Sequence, residues 1–331
     1  MICTENASYR DIGKCLLSHS TFLVISHIRP DGDAYGSAIA MALMLKMLGK
    51  TVTLWNEDGL LPRFAFLPGS ECLVASPSNR SLSVDCVVSL DTSVRSRSGE
   101  RTLGSIAGFK DWVNLDHHIS NDRYGSFCHV DASVPATGEV LFDMFKANDW
   151  QITSDIAVNL FVAISTDTGS FQYLQGIGKG AKTFSVAAAL ITAGVNVADV
   201  STRVYDSVSR QRIELQKRAF SGLEFSSGNR ISHLSVTLKD IAESHAEPDD
   251  TEGFVEIARG IDGVVAAAFF EELADGMIRV SLRSKDERLN VCDVASRFGG
   301  GGHRMAAGAR LTGSLHAVRT MVVQALEEAL A

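Results

Sequence analysis

Phe22-Leu23-Val24-Ile25-Ser26-His27-Ile28-Arg29-Pro30-Asp31-Gly32-Asp33-Ala34-Tyr35-Gly36-Ser37 is the stretch whose reading decides the fold. Phe22–Ile28 is an apolar run of strand composition, and Ser37–Leu48 has the composition of a helix. Between them Pro30 stops regular strand pairing and Gly32 lets the backbone turn tightly. One imidazole and two carboxylates therefore fall at the carboxyl end of a strand that feeds a helix. Two carboxylates packed beside a helix start are costly unless a cation neutralises them. The plainer alternative is a turn in which Asp31 and Asp33 only cap the helix.

Outward from this stretch the pattern repeats. Thr51–Trp55, Asp85–Leu90 and Trp112–Leu115 read as strands, and Gly138–Ala147 and Ile156–Ser165 as helices. Strands alternating with helices give a mostly parallel sheet, in which ligands sit beyond the carboxyl ends of the strands. The third strand runs into Asp91-Thr92, the fourth into Asp116-His117-His118, and the third helix into Thr166-Asp167-Thr168-Gly169. Each alone could be a surface turn. Together, four separate segments deliver carboxylate or imidazole groups, at least three of them to one edge of the sheet. Carboxylates with imidazoles and no thiolate favour Mn²⁺ or Mg²⁺ over structural zinc. The ligands are too many for one ion with open positions but suit two ions sharing a carboxylate. Such a pair, about 3.5–4 Å apart, polarises a phosphoryl oxygen and generates hydroxide.

The rest of the 331 residues is long enough for a second domain. Ala181–Arg218 reads as a connecting helical segment. Arg230–Val236, Val264–Glu271 and Met277–Arg283 read as strands, Val291–Phe298 and Leu315–Leu330 as helices, and the acidic Glu243–Glu252 as an exposed loop. Before the last helix stand four consecutive glycines, Gly299–Gly302, followed by His303. A glycine run can be a flexible hinge, but its amides can also approach phosphate oxygens closely. Arg283 offers a bidentate cation and Ser284 a donor, although Arg283 could equally be an ordinary surface ion-pair residue.

A net charge of −8 argues against a partner such as long duplex DNA bound on a broad basic face, and leaves room for a small phosphate ligand. The longest apolar runs fall well short of the ~18 residues of a membrane span, and Met1–Lys14 is polar with no apolar signal core. The six cysteines show no C-x-x-C pair and read as reduced core thiols, so a cytoplasmic protein with no membrane partner is expected. His19, His129, His233, His245 and His316 lack ligand-like neighbours in the sequence and receive no role.

The segments Ser26–Ser37, Leu90–Thr92, Asp116-His117-His118 and Thr166–Phe171 resemble the four motifs of the DHH phosphoesterase family. Val280–Lys285 with Gly299–Ala309 resembles its smaller DHH-associated domain. The order matches across almost the whole chain. The resemblance implies an α/β fold: a parallel-sheet N-terminal DHH domain with helices on both faces (1–190), a helical linker (191–229) and a smaller α/β C-terminal DHH-associated domain (230–331). It implies that His27, Asp31 and Asp91 hold one metal and that Asp33, Asp91, His117 and Asp167 hold the other. His118 would face the scissile phosphate, and Asp116 would orient the histidines, completing a catalytic group of Asp91, Asp116, His117 and His118. Arg283, Ser284, Gly300, Gly301, Gly302 and His303 would grip the substrate's far phosphate. Two positions depart from the pattern: Tyr35 where Leu is common, and Ser170 where Arg is frequent.

The activity implied is metal-activated hydroxide attack on short single-stranded oligoribonucleotides (nanoRNA) or 3′-phosphoadenosine 5′-phosphate. Two divalent ions are expected, Mn²⁺ first, with Mg²⁺ or Co²⁺ as alternatives, and a homodimer is compatible with this branch. A cyclic di-AMP phosphodiesterase shares the same plan. A RecJ-like exonuclease would need a further domain, and a pyrophosphatase of the family a different second one. A non-catalytic nucleotide sensor would be expected to lack one of the ligands, and all are present.

Overall fold

The computed structural model describes residues 3–77, 81–174 and 179–330. The chain divides into two units, Met1–Ser207 and Val208–Ala331. The first contains strands β1 (Thr21–Ile25), β2 (Thr51–Asn56), β3 (Leu73–Ala75), β4 (Leu82–Ser83), β5 (Cys86–Leu90), β6 (Ile106–Gly108), β7 (Asp111–Asp116) and β8 (Phe127–Val130). All but β4 and β6 form one parallel sheet in the order β3-β2-β1-β5-β7-β8. Strand order reverses between β1 and β5, so the loops after these two strands part and leave a crevice. The central strands β1 and β5 are short apolar runs buried on both sides, as a covered parallel sheet requires.

One face of the sheet carries α1 (Tyr9–Ser18), α2 (Gly32–Met47), α4 (Thr137–Ala147) and α5 (Ser154–Asp167). The other is covered by the short α3 (Glu100–Gly104), the paired β4 and β6, and the rings of Phe109, Trp112 and Tyr124. Helix α2 is apolar around most of its circumference and buried along nearly its whole length. It begins at Gly32, five residues before the expected Ser37. The reason is Asp31, whose Oδ1 accepts the amides of Asp33 (3.1 Å) and Ala34 (3.0 Å) and so starts the helix. Asp33 is thus in the first helical turn, not in a loop. Tyr35 is a packing substitution with a polar anchor. It is fully buried, its hydroxyl donates to Gly59 O (2.6 Å), and its ring packs on Phe64.

The amino terminus adds one element and corrects one expectation. The polar opening hides an amphipathic helix, α1, which buries Ile12, Cys15 and Leu16. The cysteines are not all reduced thiols, because Cys3 and Cys128 form a disulfide with Cα atoms 6.0 Å apart. That pairing ties the chain before α1 to β8.

The helices that lie in sequence after the first sheet and before the second are shared out. α6 (Lys179–Thr192) and α7 (Val197–Tyr205) supply Leu190 and Val200 to the first core, while α8 (Arg210–Ser221) supplies Leu215 to a core of the second unit. The second unit is a mixed sheet of β9 (Glu224–Ser226), β10 (Ile231–Val236), β11 (Ala266–Glu272), β12 (Met277–Ser284), β13 (Gly301–His303) and β14 (Ala306–Thr312). Its order is β13-β14-β12-β11-β10-β9, and β10 and β11 are its parallel pair. α8 and α10 (Phe254–Gly260) pack on one face, α11 (Val291–Ser296) and α12 (Leu315–Leu330) on the other. The acidic stretch is not one open loop, since Glu243 and Ser244 end α9 (Leu238–Ser244) and Pro248–Thr251 makes a 3-10 turn. Among the described residues, no single helix is long and apolar enough to cross a membrane.

Candidate metal centre

The loops after β1, β5 and β7 and the end of α5 bring the expected residues together at the strand-order reversal. His27 Nε2 lies 3.9 Å from Asp31 Oδ2 and 3.4 Å from Asp91 Oδ2. His117 Nε2 lies 3.6 Å from Asp91 Oδ1, 3.9 Å from Asp33 Oδ2 and 3.3 Å from Asp167 Oδ2. Asp91 therefore turns one oxygen to each imidazole. Around these two contacts the structure gathers His27, Asp31 and Asp91 as one group of converging donor atoms, and Asp33, His117 and Asp167 as another.

Local backbone geometry aims these groups. Asp91 is left-handed (φ 53°), a conformation costly for a residue with a side chain and held here by its neighbours. Its amide donates to Leu115 O, and Thr92 O accepts from Asn114 Nδ2 (3.2 Å), Asn121 Nδ2 (3.3 Å) and the Tyr124 hydroxyl (2.9 Å). His27 Nδ1–H donates to Ile28 O (2.8 Å), leaving Nε2 for the carboxylates; the Arg97 guanidinium, 3.4 Å from Nδ1, adds charge there and no bond. Asp116 Oδ1 accepts from the amides of His117 and His118 and meets His118 Nδ1 at 2.7 Å, while Asn121 Nδ2 donates to Oδ2.

The sequence places a helix start at Gly138. In the structure the amino end of α4 grips Asp33, with Thr137 N donating to Oδ2 (2.7 Å) and Gly138 N to Oδ1 (3.0 Å). The Thr137 hydroxyl donates to Asp91 Oδ1 (3.0 Å), and Ser37 Oγ donates to Asp33 Oδ1 (2.8 Å). These partners lie 104 and 46 residues from Thr137 in sequence, so no local pattern could reveal them. Thr137→Val keeps the shape and the backbone donors and removes the bond to Asp91. Divalent-ion affinity, read by calorimetry, is expected to fall about 10–100-fold with the fold intact. Unchanged affinity would show that the hydroxyl does not orient Asp91.

The centre carries more negative charge than it can balance from within. Asp33 and Asp167 are pushed well above the usual carboxylate range by burial and by the surrounding carboxylates. Burial also works against ionisation of Asp91, but the hydrogen bond and charge of His27 and the charges of His117 and His118 hold it below the usual value. Burial disfavours the His118 imidazolium, yet the bond to Asp116 and the charges of Asp91, Asp116 and Asp167 raise it to about 9. Buried carboxylate oxygens with open imidazole nitrogens and no thiol are a donor set that fits divalent cations of hard to borderline character. Past Asp167 the backbone is left-handed at Gly169, Ser170 and Phe171, and Ser170 is exposed.

The second unit places its candidates less uniformly. Arg283, Ala306 and His303 occupy one register row across β12, β14 and β13, so Arg283 and His303 share a face. Arg283 is half-buried and its Nε donates to Glu256 Oε1 (2.7 Å). Ser284 does not fit a substrate contact. It is fully buried, its hydroxyl donates to Asp286 O (2.9 Å) and accepts from Asp286 N (3.0 Å), and it braces a turn. Strand alternation explains this, because Ile278, Val280, Leu282 and Ser284 all point to the core side of β12. The glycine run is not a hinge. Gly301–His303 form the edge strand β13, and the Gly300 amide donates to Ala295 O as part of the α11 cap. A Cβ on Gly302 would stand 2.6 Å from Ala306 O, so glycine is required there for strand contact alone. Cys292 is only partly buried, with Sγ 3.2 Å from Gly302 O.

Residues 21–164 match the family described as DHH family, N-terminal domain, and residues 233–331 match the DHHA1 domain. The chain is 32% identical to the bifunctional oligoribonuclease and PAP phosphatase NrnA of Thermus thermophilus, over 93% of this chain and 89% of that protein. It is 29% identical to the probable bifunctional oligoribonuclease and PAP phosphatase NrnA of Streptococcus mutans, over 91% and 93%. Among solved structures it is similar to an exopolyphosphatase-related protein from Bacteroides fragilis, with a TM-score of 0.85 and 22% identity over 97% and 96% of the two chains. RecJ from Thermus thermophilus in complex with Mn²⁺ shares the fold at a TM-score of 0.53 and 12% identity, over 97% of this chain and 54% of RecJ.

Proposed function

The chain belongs to the DHH family and carries the DHHA1 domain after it, and from that premise we propose that it is a divalent-metal-dependent phosphoesterase acting on short oligoribonucleotides and 3′-phosphoadenosine 5′-phosphate. The observation that carries this reading is Asp91, with its two oxygens turned to two different imidazoles. His27, Asp31 and Asp91 would hold one ion, and Asp33, Asp91, His117 and Asp167 the other. Mn²⁺ is the ion we assign first, because a carboxylate-rich set without sulfur suits it and selection rests on ligand type and geometry rather than raw affinity. When bound, such a pair supplies Lewis-acid polarisation of the phosphoryl group and a water acidic enough to serve as nucleophile.

The chain's own residues do the positioning. Asp33 is locked by the amino end of α4 and by Ser37, so its carboxylate cannot swing away as substrate enters. Asp116 meets His118 Nδ1 at 2.7 Å and fixes the orientation of the ring. The imidazolium would donate to a non-bridging phosphate oxygen, offsetting charge that grows in the transition state. Arg283, with the edge amides of Gly301 and Gly302 and the His303 side chain, would bind a terminal phosphate, exchanging the Glu256 contact for the ligand.

Arg283→Ala is expected to raise KM about 10-fold or more for substrates with a terminal phosphate and to leave kcat nearly unchanged. An equal rise for substrates without that phosphate would remove the assignment. The function itself is tested by incubating purified protein and Mn²⁺ with di- to pentaribonucleotides, 3′-phosphoadenosine 5′-phosphate and cyclic di-AMP. Products are resolved by chromatography, with an EDTA control. Loss of the first two substrates, abolished by EDTA, is the expected result; turnover of cyclic di-AMP alone would reassign the substrate, and no turnover of any would refute the proposal.

A further inference from the structure

Three residues without a role in the preceding account meet at the opposite end of the first sheet. Cys15 lies near the end of α1, His19 follows that helix, and Asp111 opens β7. Their donor atoms, a thiol sulfur, an imidazole nitrogen and a carboxylate oxygen, lie within 4.8 Å of one another. His19 Nε2 stands 2.8 Å from Asp111 Oδ2. Cys86, the first residue of β5, is buried in the same cluster as Cys15, and its thiol donates to Val87 O (3.6 Å). The expectation that His19 has no ligand-like neighbours is therefore corrected. Its neighbours come from α1 and β7, the latter 92 positions away.

The cluster is separate from the centre described above. β5 and β7 begin here and deliver Asp91, Asp116 and His117 at their far ends. At about 3.3 Å per strand residue, the five residues of β5 set the two places roughly 17 Å apart. The cluster is also well made. Lys50 Nζ donates to Leu17 O and His19 O, which fixes the turn carrying His19. Cys15 and Cys86 are buried, while the His19 and Asp111 side chains keep 11% and 29% of their surface exposed, which leaves a route in from solvent.

The donor chemistry differs from that of the catalytic centre in one respect, sulfur. Two thiols, an imidazole and a carboxylate can complete a tetrahedral shell for zinc, whereas all-oxygen and imidazole sets suit harder ions. We propose that Cys15, His19 and Asp111, whose donor atoms already converge, form a second, structural site for Zn²⁺, with the nearby Cys86 thiol turning from Val87 O to become the fourth ligand. On binding, each ligating thiol releases its proton to solvent, and the ion replaces the direct contact between His19 and Asp111. The site would then fasten α1 to the starts of β5 and β7. The plain alternative is a buried thiol pair beside an ordinary imidazole–carboxylate pair.

The full chain, purified under reductant and stripped by chelation, is titrated with Co²⁺. The catalytic centre also accepts Co²⁺ but offers it no sulfur. The expected result is a near-ultraviolet thiolate-to-Co²⁺ charge-transfer absorption that saturates at one ion per chain and is displaced by one equivalent of Zn²⁺. It should be lost in Cys15→Ser and retained in Asp91→Asn. Absence of the band in the unaltered protein, or its survival in Cys15→Ser, would overturn the proposal. Should Cys15→Ser fail to fold, X-ray absorption at the zinc edge decides on Asp91→Asn protein given one equivalent of Zn²⁺. Sulfur at about 2.3 Å supports the site, and a shell of oxygen and nitrogen alone removes it.

Discussion

Asp91→Ala is expected to lower kcat by about 10³-fold or more, the largest single effect at this centre. Among the described residues Asp91 is the one carboxylate whose two oxygens face both histidine groups, at 3.4 Å from His27 and 3.6 Å from His117. Removing it uncouples the two halves, and loss of several kcal/mol of charge stabilisation corresponds to that factor. The fold should survive, because the lost contacts to the histidines are offset in part by relief of the repulsion that Asp91 exerts on the buried carboxyls of Asp33 and Asp167. Alanine in the left-handed conformation of position 91 carries its own cost of roughly 1–2 kcal/mol. Asp91→Asn avoids most of it, since asparagine tolerates that conformation, and should lose activity to a similar degree at nearly unchanged Tm. Turnover within 10-fold of the unaltered protein in Asp91→Asn would mean that the carboxylate does not join the two halves.

The second large effect is expected at a residue that offers no ligand atom, one helical turn after Asp33. Gly36 lies where α2 crosses α5, and a Cβ there would stand 2.4 Å from the Asn159 carbonyl oxygen and 3.0 Å from Ala163 Cβ. Backbone atoms cannot yield as a flexible side chain can, so Gly36→Val must push the helices apart. Overpacking of this kind costs about 1–3 kcal/mol, or ~2–12 °C in Tm for a unit of this size. α2 carries Asp33 and α5 ends in Asp167, so the same displacement separates two groups that must face His117 together. A misplacement of ~1 Å is enough for a 10²-fold loss of activity. Gly104→Ala is the control, because nothing lies within 4 Å of the added methyl. Melting and turnover of both variants decide the matter, and a stable but inactive, or an active but unstable, Gly36→Val would break the link between packing and site.

The parts of this account that were legible in the sequence share one property: their meaning is local. Strand ends followed by Asp or His announce themselves because each strand is a short apolar run and the polar residue comes directly after it, as at Leu90-Asp91 and Leu115-Asp116. The closing helix Leu315–Leu330 was readable over its full length for the same reason. What was hidden depends on contacts between distant segments. Thr137 holds Asp33 and Asp91, Cys3 pairs with Cys128, and His19 meets Asp111, each across 46 or more residues. Ser284 is a different case. The alternation of β12 already placed it in phase with Ile278, Val280 and Leu282, and applying that period would have sent its hydroxyl to the core. The early start of α2 was obscured because Pro30 and Gly32 signal a turn, whereas Asp31 between them is the residue that caps the helix.

The central claim is that side chains from four segments hold a pair of divalent ions with Asp91 between them. Anomalous diffraction at the manganese edge, from crystals of the full chain grown with Mn²⁺, addresses it directly. The account predicts two peaks at the carboxyl edge of the first sheet, one against His27 and Asp31, the other against Asp33, His117 and Asp167, with an oxygen of Asp91 on each. A single peak, or two peaks that Asp91 does not touch, would contradict it.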